Sequence, residues 1–184
     1  MLSLLCIASC AHNAPTLGVD LPLAGPDGAD GILALQAVRL ALRDDATLEL
    51  DVRDASRGGF ADPHEDEGAG DWRNPGFAAK NIAALAADRN VIVVLGGFNG
   101  AVAKAERQAA EQSTVPIVLV SRLPKSVMRA VPIAFGKTYR KAYGEEPDPL
   151  AARYYIAARM ILNCDARSRE ELSICLRKRV EWNR

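Results

Sequence analysis

Apolar and polar positions along this chain switch between the period of a strand and the period of a helix, and they do so in alternation. Thr16 to Leu21 is a short, mostly apolar run read as a strand. After the turn-rich PLAGPDGADG, a helix is predicted through about Arg43, with Ile32, Leu35, Val38 and Leu42 recurring at helical spacing. Leu48, Leu50 and Val52 then alternate with Glu49, Asp51 and Arg53, the pattern of a strand wet on one face and placed at a sheet edge. Asn74-Pro75 reads as an N-cap followed by proline at the first helical position, opening a helix that carries Ala78, Ile82 and Leu85. Val91 to Leu95 is continuous and β-branched, which suits a strand covered on both faces. A helix over 100–112 and a second buried strand, Val115 to Val120, follow. Strands separated by helices imply a parallel sheet with right-handed crossovers. The expected order is second, first, third, fourth, with helices 76–88 and 100–112 on the sheet faces and the C-terminal helices packed on the same sheet.

The centre of this pattern is Asn90 to Ala105, NVIVVLGGFNGAVAKA. Gly96 and Gly97 break the strand, and Asn99 is a good N-cap for the helix beginning near Gly100. A strand, turn and helix in this order aim free backbone N–H groups and the positive end of a helix dipole at one spot. A carboxylate or phosphate would bind there. The alternative is a tight turn and nothing more.

Composition narrows the classes. The 184 residues make one domain, or one lobe of something larger, and the formal net charge is zero. Acidic and basic residues are interspersed, so no nucleic-acid surface is marked. The opening MLSLLCIASC contains Ile7-Ala8-Ser9-Cys10, which looks like a lipobox with Cys10 as the lipidated residue, although a basic n-region and a full apolar h-region are missing. A truncated or misplaced start would account for both. Cys164 and Cys175 lack C-x-x-C spacing, and two packed thiols are preferred over a disulfide, which an oxidising compartment would permit. In the loop between Asp54 and Asn74, Asp62, His64, Glu65, Asp66 and Glu67 match no calcium or zinc pattern and read as solvated, so no metal is expected. No cofactor is expected either: Gly25, Gly28 and Gly31 form G-x-x-G-x-x-G, not the dinucleotide fingerprint. No G-x-S-x-G elbow occurs, and His12 and His64 are poorly placed for a cleft base, so no catalytic residue is named. Phe135, Tyr139 and Tyr143 share a helix face and read as core, Ser168 and Glu171 as a capping box, and Arg177 to Arg179 as cations balancing a helix C-terminus.

Several segments, taken in order, carry a resemblance. G-V-D-L-P-L-A-G after the first strand, D-A-S after the second, A-A-K-N-I-A-A-L-A, V-I-V-V-L-G-G and V-P-I-V are similar to the N-terminal lobe of the type I periplasmic binding proteins. The branch they resemble is that of the branched-chain amino acid (leucine/isoleucine/valine) receptors of ABC transporters. Phe135-x-x-x-Tyr139-x-x-x-Tyr143-Gly144, Pro147-Asp148 and A-A-R-Y-Y-I-A-A-R-M-I-L resemble the family's C-terminal helices.

The resemblance implies an α/β fold, a parallel-sheet, three-layer Rossmann-like lobe. It divides the chain into a signal or lipobox remnant and tether (1–15), the N-terminal lobe (16–121), a linker where the resemblance implies that a second lobe is deleted (122–132), and C-terminal helices on the same lobe (133–184). Family members are longer and have two lobes that close on a ligand, so the chain resembles half a clamp. Carried over by position, Gly97, Phe98, Asn99 and Gly100 would meet a ligand carboxylate. Ser121, Leu23 and Gly25 would contribute from the turns after the fourth and first strands. Gly100 and Ala101 lack the hydroxyls frequent in the family, and Pro124 and Lys125 replace small residues. The implied function is an extracytoplasmic solute-binding component for an amino acid or similar small polar ligand. It would work with a transporter permease in an intact homologue, touch the membrane only through a lipid anchor, and bind weakly or not at all. The alternatives are a non-binding remnant or interaction module of this fold and, last, an enzyme.

Overall fold

The computed structural model describes residues 14–43, 47–56, 75–128 and 131–179. Its strands are β1 (Thr16–Leu21), β2 (Glu49–Asp54), β3 (Val91–Gly96) and β4 (Ile117–Leu119). Its helices are α1 (Gly28–Leu42), α2 (Pro75–Ala87), α3 (Gly100–Glu111), α4 (Lys125–Met128), α5 (Phe135–Tyr143), α6 (Pro149–Leu162) and α7 (Arg169–Arg179). The sheet is parallel throughout, in the order β2-β1-β3-β4, as the alternating pattern predicted.

The two central strands are buried along their whole length, which is what an apolar run without alternation requires. β2 sits at the edge and is partly exposed, in keeping with its alternation. β4 is shorter than the predicted 115–120 strand. Pro116 has no N–H to give to the ladder, so its carbonyl accepts from Val94 N at 2.9 Å and pairing starts at Ile117. Val120 is already in a 3-10 turn that runs to Arg122.

Helices cover both faces. On one face α2 and α3 pack together, and Ile82, Leu85 and Ala110 meet Val91, Val94 and Val115. On the other, α1 and α6 pack against Leu17, Val19, Leu21, Val93 and Leu95, with Leu172 and Leu176 of α7 in the same cluster. The C-terminal helices therefore do lie on this sheet, except that α5 packs through Phe135 and Tyr139 onto Ala37 and Leu40 of α1. One helical position departs from expectation. Ile32 is 46% exposed, because the buried side of α1 is carried by Gly31, Ala34, Leu35, Val38 and Ala41.

The predicted aromatic core face is present: Phe135 and Tyr139 are buried, and Tyr139 and Tyr143 direct their hydroxyls to the backbone of Leu33 (3.1 Å) and Gln36 (2.9 Å). The capping box is half formed. Ser168 Oγ accepts from Glu171 N (3.2 Å), whereas Glu171 Oε2 reaches the N–H of Arg167 and not that of the cap itself. Cys164 and Cys175 are not packed thiols. They form a disulfide between the end of α6 and the middle of α7, with Cα atoms 5.8 Å apart. The helical hairpin brings the residues within bonding reach, something their spacing in sequence could not reveal. Cys10, Asn74 and the acidic stretch around His64 lie outside the described residues.

Candidate functional site

β1 and β3 are neighbours at the middle of the sheet, and the chain leaves them toward opposite edges, to β2 and to β4. A parallel sheet opens a crevice at the carboxyl ends of such a pair. Its walls here are Pro22, Ala24 and Asp27 after β1, Ala55 after β2, and Phe98, Asn99 and Val102 from the β3–α3 turn. The enclosed space is about 10 Å³, about enough for one water. Anything as large as an amino acid must rest on top of it.

The β3–α3 turn is held by its glycine and its cap. Gly97 has φ +79°, and a Cβ on it would stand 2.8 Å from the Leu119 Cα. Both the left-handed backbone and the close approach of β4 demand glycine. Asn99 is extended and accepts from Ala101 N (3.1 Å) and Val102 N (3.0 Å) through Oδ1, so it caps α3 as its sequence position predicted.

These bonds redistribute the amides. The N–H of Gly97 donates inward to Glu106 Oε2 at 2.6 Å and is not offered to the crevice. Phe98, Asn99 and Gly100 donate their backbone N–H groups to no described residue, and all three are partly or fully exposed. Of the predicted residues, Phe98 and Asn99 line the crevice, and Gly100 adjoins it as the first residue of α3. Ser121 is exposed, and its N–H goes to Gly97 O at 3.0 Å, so it braces the turn without lining the crevice. Leu23 donates its N–H to Asp54 Oδ1 (2.8 Å), and its side chain packs against the core. Gly25, at φ +70°, accepts from Gly28 N (3.0 Å) and shapes the turn into α1.

Beneath the crevice is a polar floor that sequence reasoning did not single out. Asp20 of β1 and Glu106 of α3 are both fully buried on the α2–α3 side. Asn81 of α2 donates to Asp20 Oδ1 (2.7 Å) and to Asp54 O (2.9 Å). Burial pushes the Asp20 carboxyl up to about 6, and burial together with the nearby Asp20 charge holds Glu106 well above the usual range. The available signal was Asp20 itself, an acid inside an otherwise apolar strand. Asp54 completes the floor by accepting from Leu23 N, Ser56 N and Ser56 Oγ. Among the described residues no group of three or more His, Cys, Asp or Glu is placed to hold a metal ion.

No protein-family model matches the chain, and no curated protein matches it. Solved structures do match. The substrate-binding protein LivJ of a branched-chain amino acid transporter from Streptococcus pneumoniae, in complex with isoleucine, superposes with a TM-score of 0.68. Identity is 11%, over 89% of this chain and 87% of that one. The fold is that of a type I periplasmic binding protein lobe. A leucine-binding protein, LivK from Thermotoga maritima, matches with a TM-score of 0.65 at 14% identity, over 91% of this chain and 88% of that one. At such identities the likeness shows the fold alone and leaves the ligand to the chemistry of the crevice. Because most of each solved chain is spanned, the idea of a deleted second lobe rests on the sequence resemblance only.

Proposed function

We propose that this lobe is a solute-binding component of an ABC importer, working outside the cytoplasmic membrane, and that its crevice meets the carboxylate of an amino acid or similar small polar ligand. The observation that carries this is the set of unclaimed N–H groups on Phe98, Asn99 and Gly100 at the switch point between β1 and β3. Three amides beside a helix N-terminus suit a carboxylate. The fold of the LivJ and LivK proteins supports a binding role over an enzymatic one. The Cys164–Cys175 bridge supports an oxidising, extracytoplasmic location. No described helix is long and apolar enough to cross a membrane, and Cys10 is the candidate for an anchor. A permease would be the partner of an intact homologue, and a crevice that encloses only about 10 Å³ would make binding weak.

The test is an amide-resolved NMR titration with leucine, isoleucine and valine. Binding should move the Phe98, Asn99 and Gly100 resonances and leave Gly97, already bonded to Glu106, little changed. Silence at concentrations well above about 1 mM, where binding is worth only about −4 kcal/mol, would turn the assignment to a non-binding module of the same fold. A response to nucleotides alone would turn it to an enzyme.

A further inference from the structure

Asp20 of β1 and Glu106 of α3 are both fully buried, and their carboxyls lie within hydrogen-bonding reach of each other beside Gly96, the residue that follows Leu95, the ladder partner of Val19. When both are counted only as acceptors, Asp20 Oδ2 and Glu106 Oε1 are left with no partner. The other two oxygens are used: Asp20 Oδ1 by Asn81 and Glu106 Oε2 by the Gly97 N–H. No lysine or arginine pairs with either acid among the described residues. The groups facing the pair are Asn81 of α2, the Asp54 carboxylate at the end of β2, the Gly97 N–H of the turn and, through the field across the sheet, Tyr154 of α6. Two buried anions side by side without a cation are untenable, whereas one proton between them converts two orphaned acceptors into an O–H···O bond.

We infer that Asp20 and Glu106 hold a single shared proton between Oδ2 and Oε1, and that this acid pair positions the Phe98–Gly100 amides. The link to the turn is steric as well as hydrogen-bonded. A Cβ on Gly96 would stand 2.5 Å from Glu106 Oε1, so the carboxyl occupies the volume that a side chain at 96 would take. Glu106 thereby fixes Gly97, and Gly97 is followed directly by the exposed amides. Losing the proton leaves two repelling carboxylates under the turn and loosens it; the proton goes to solvent, and the pair passes from one negative charge to two. The functional meaning rests on the proposed role of those amides, but the pair can be tested without any ligand.

Two measurements on the whole protein decide it. Infrared spectra at neutral pH should contain a protonated-carboxyl C=O band that disappears in Glu106→Gln and in Asp20→Asn. In parallel, the Gly97, Phe98, Asn99 and Gly100 amide resonances should titrate together, with a midpoint above the ~4 of an ordinary carboxylate, and lie flat in Glu106→Gln. That substitution keeps an acceptor for Gly97 N–H and supplies a donor for Asp20, as the shared proton does. Should it fail to fold, Asp20→Asn makes the same exchange from the other side, and the wild-type titration already discriminates. Absence of the band, or amides that titrate equally in the variants, would overturn the pair. A failed amino-acid titration with the band intact would overturn the ligand assignment alone.

Discussion

Arg169 shows how much one side chain can tie together. Its guanidinium donates to the carbonyls of Val91 (2.8 Å), Ala86 (2.9 Å) and Asp88 (2.6 Å), and reaches Thr114 Oγ1 at 3.2 Å. It therefore locks the start of α7 to the α2–β3 and α3–β4 connections at the amino end of the sheet. Charged hydrogen bonds are worth about 1.5–3 kcal/mol each when desolvated, and these are only partly so. Arg169→Ala should cost about 2–4 kcal/mol in urea denaturation, and Arg169→Lys nearly as much, since an ammonium cannot reproduce the planar fork. Gly31 is the second sensitive residue. A Cβ there would lie 1.7 Å from the Pro22 carbonyl oxygen, which is backbone and cannot yield. Gly31→Ala should therefore destabilise by at least about 1–3 kcal/mol, the ordinary cost of overpacking, while the same change at Gly100, where nothing stands within 4 Å, should be nearly silent. Neither role was legible in the sequence. Arg169 follows a capping serine and looks like a solvated helix residue, and Gly31 looks like part of a flexible turn. Each is defined by a carbonyl from a distant segment, and carbonyls have no letter in a sequence.

Between elements, two couplings can be measured. The acid pair joins β1 to α3, and its sign follows from burial. Asp20 is raised to about 6 and Glu106 is raised well above its usual value, so the folded chain binds protons that the unfolded chain releases. Their contribution to stability is complete below about 4 and is lost as pH rises through about 6 and beyond. The effect should be of order 2–3 kcal/mol; urea midpoints for the wild type should fall between acid and alkaline pH, and Asp20→Asn should flatten that decline. The second coupling is the disulfide, which joins α6 to α7 through cysteines 11 positions apart in sequence. Chain entropy gives the loop so closed somewhat under 3 kcal/mol, so reductant should lower the denaturation midpoint correspondingly and leave Cys175→Ser indifferent to it. Element order, strand burial and the Asn99 cap could be read from sequence because local periodicity and capping chemistry decide them. The disulfide and the acid pair could not, since both depend on how helices distant in sequence are brought together.

For the molecule as a whole, the question is how tightly one lobe can hold a ligand. A small ligand binds strongly when most of its surface is buried, and here the enclosed part of the crevice is about 10 Å³. The ligand would lie on the surface, its carboxylate against the amides of Phe98, Asn99 and Gly100. Gly97, counted as a donor from sequence, contributes none, because its N–H already donates to Glu106 Oε2. Each charged hydrogen bond could give about 1.5–3 kcal/mol if desolvated, but water and salt reach this site and lower it. Association costs at least about 4 kcal/mol in lost freedom. Three exposed bonds then leave a net of no more than about −4 kcal/mol, a Kd weaker than about 1 mM. The same arithmetic shows what would change the outcome: a second surface placed over the turn would exclude water and restore the full strength of each bond. Leucine binding would then be linked to association, and sedimentation velocity with and without leucine would show a ligand-dependent dimer. Calorimetry on the monomer is the decisive measurement. Micromolar leucine affinity with no change in oligomeric state would mean that one open lobe suffices, and the weak-binding expectation would fail.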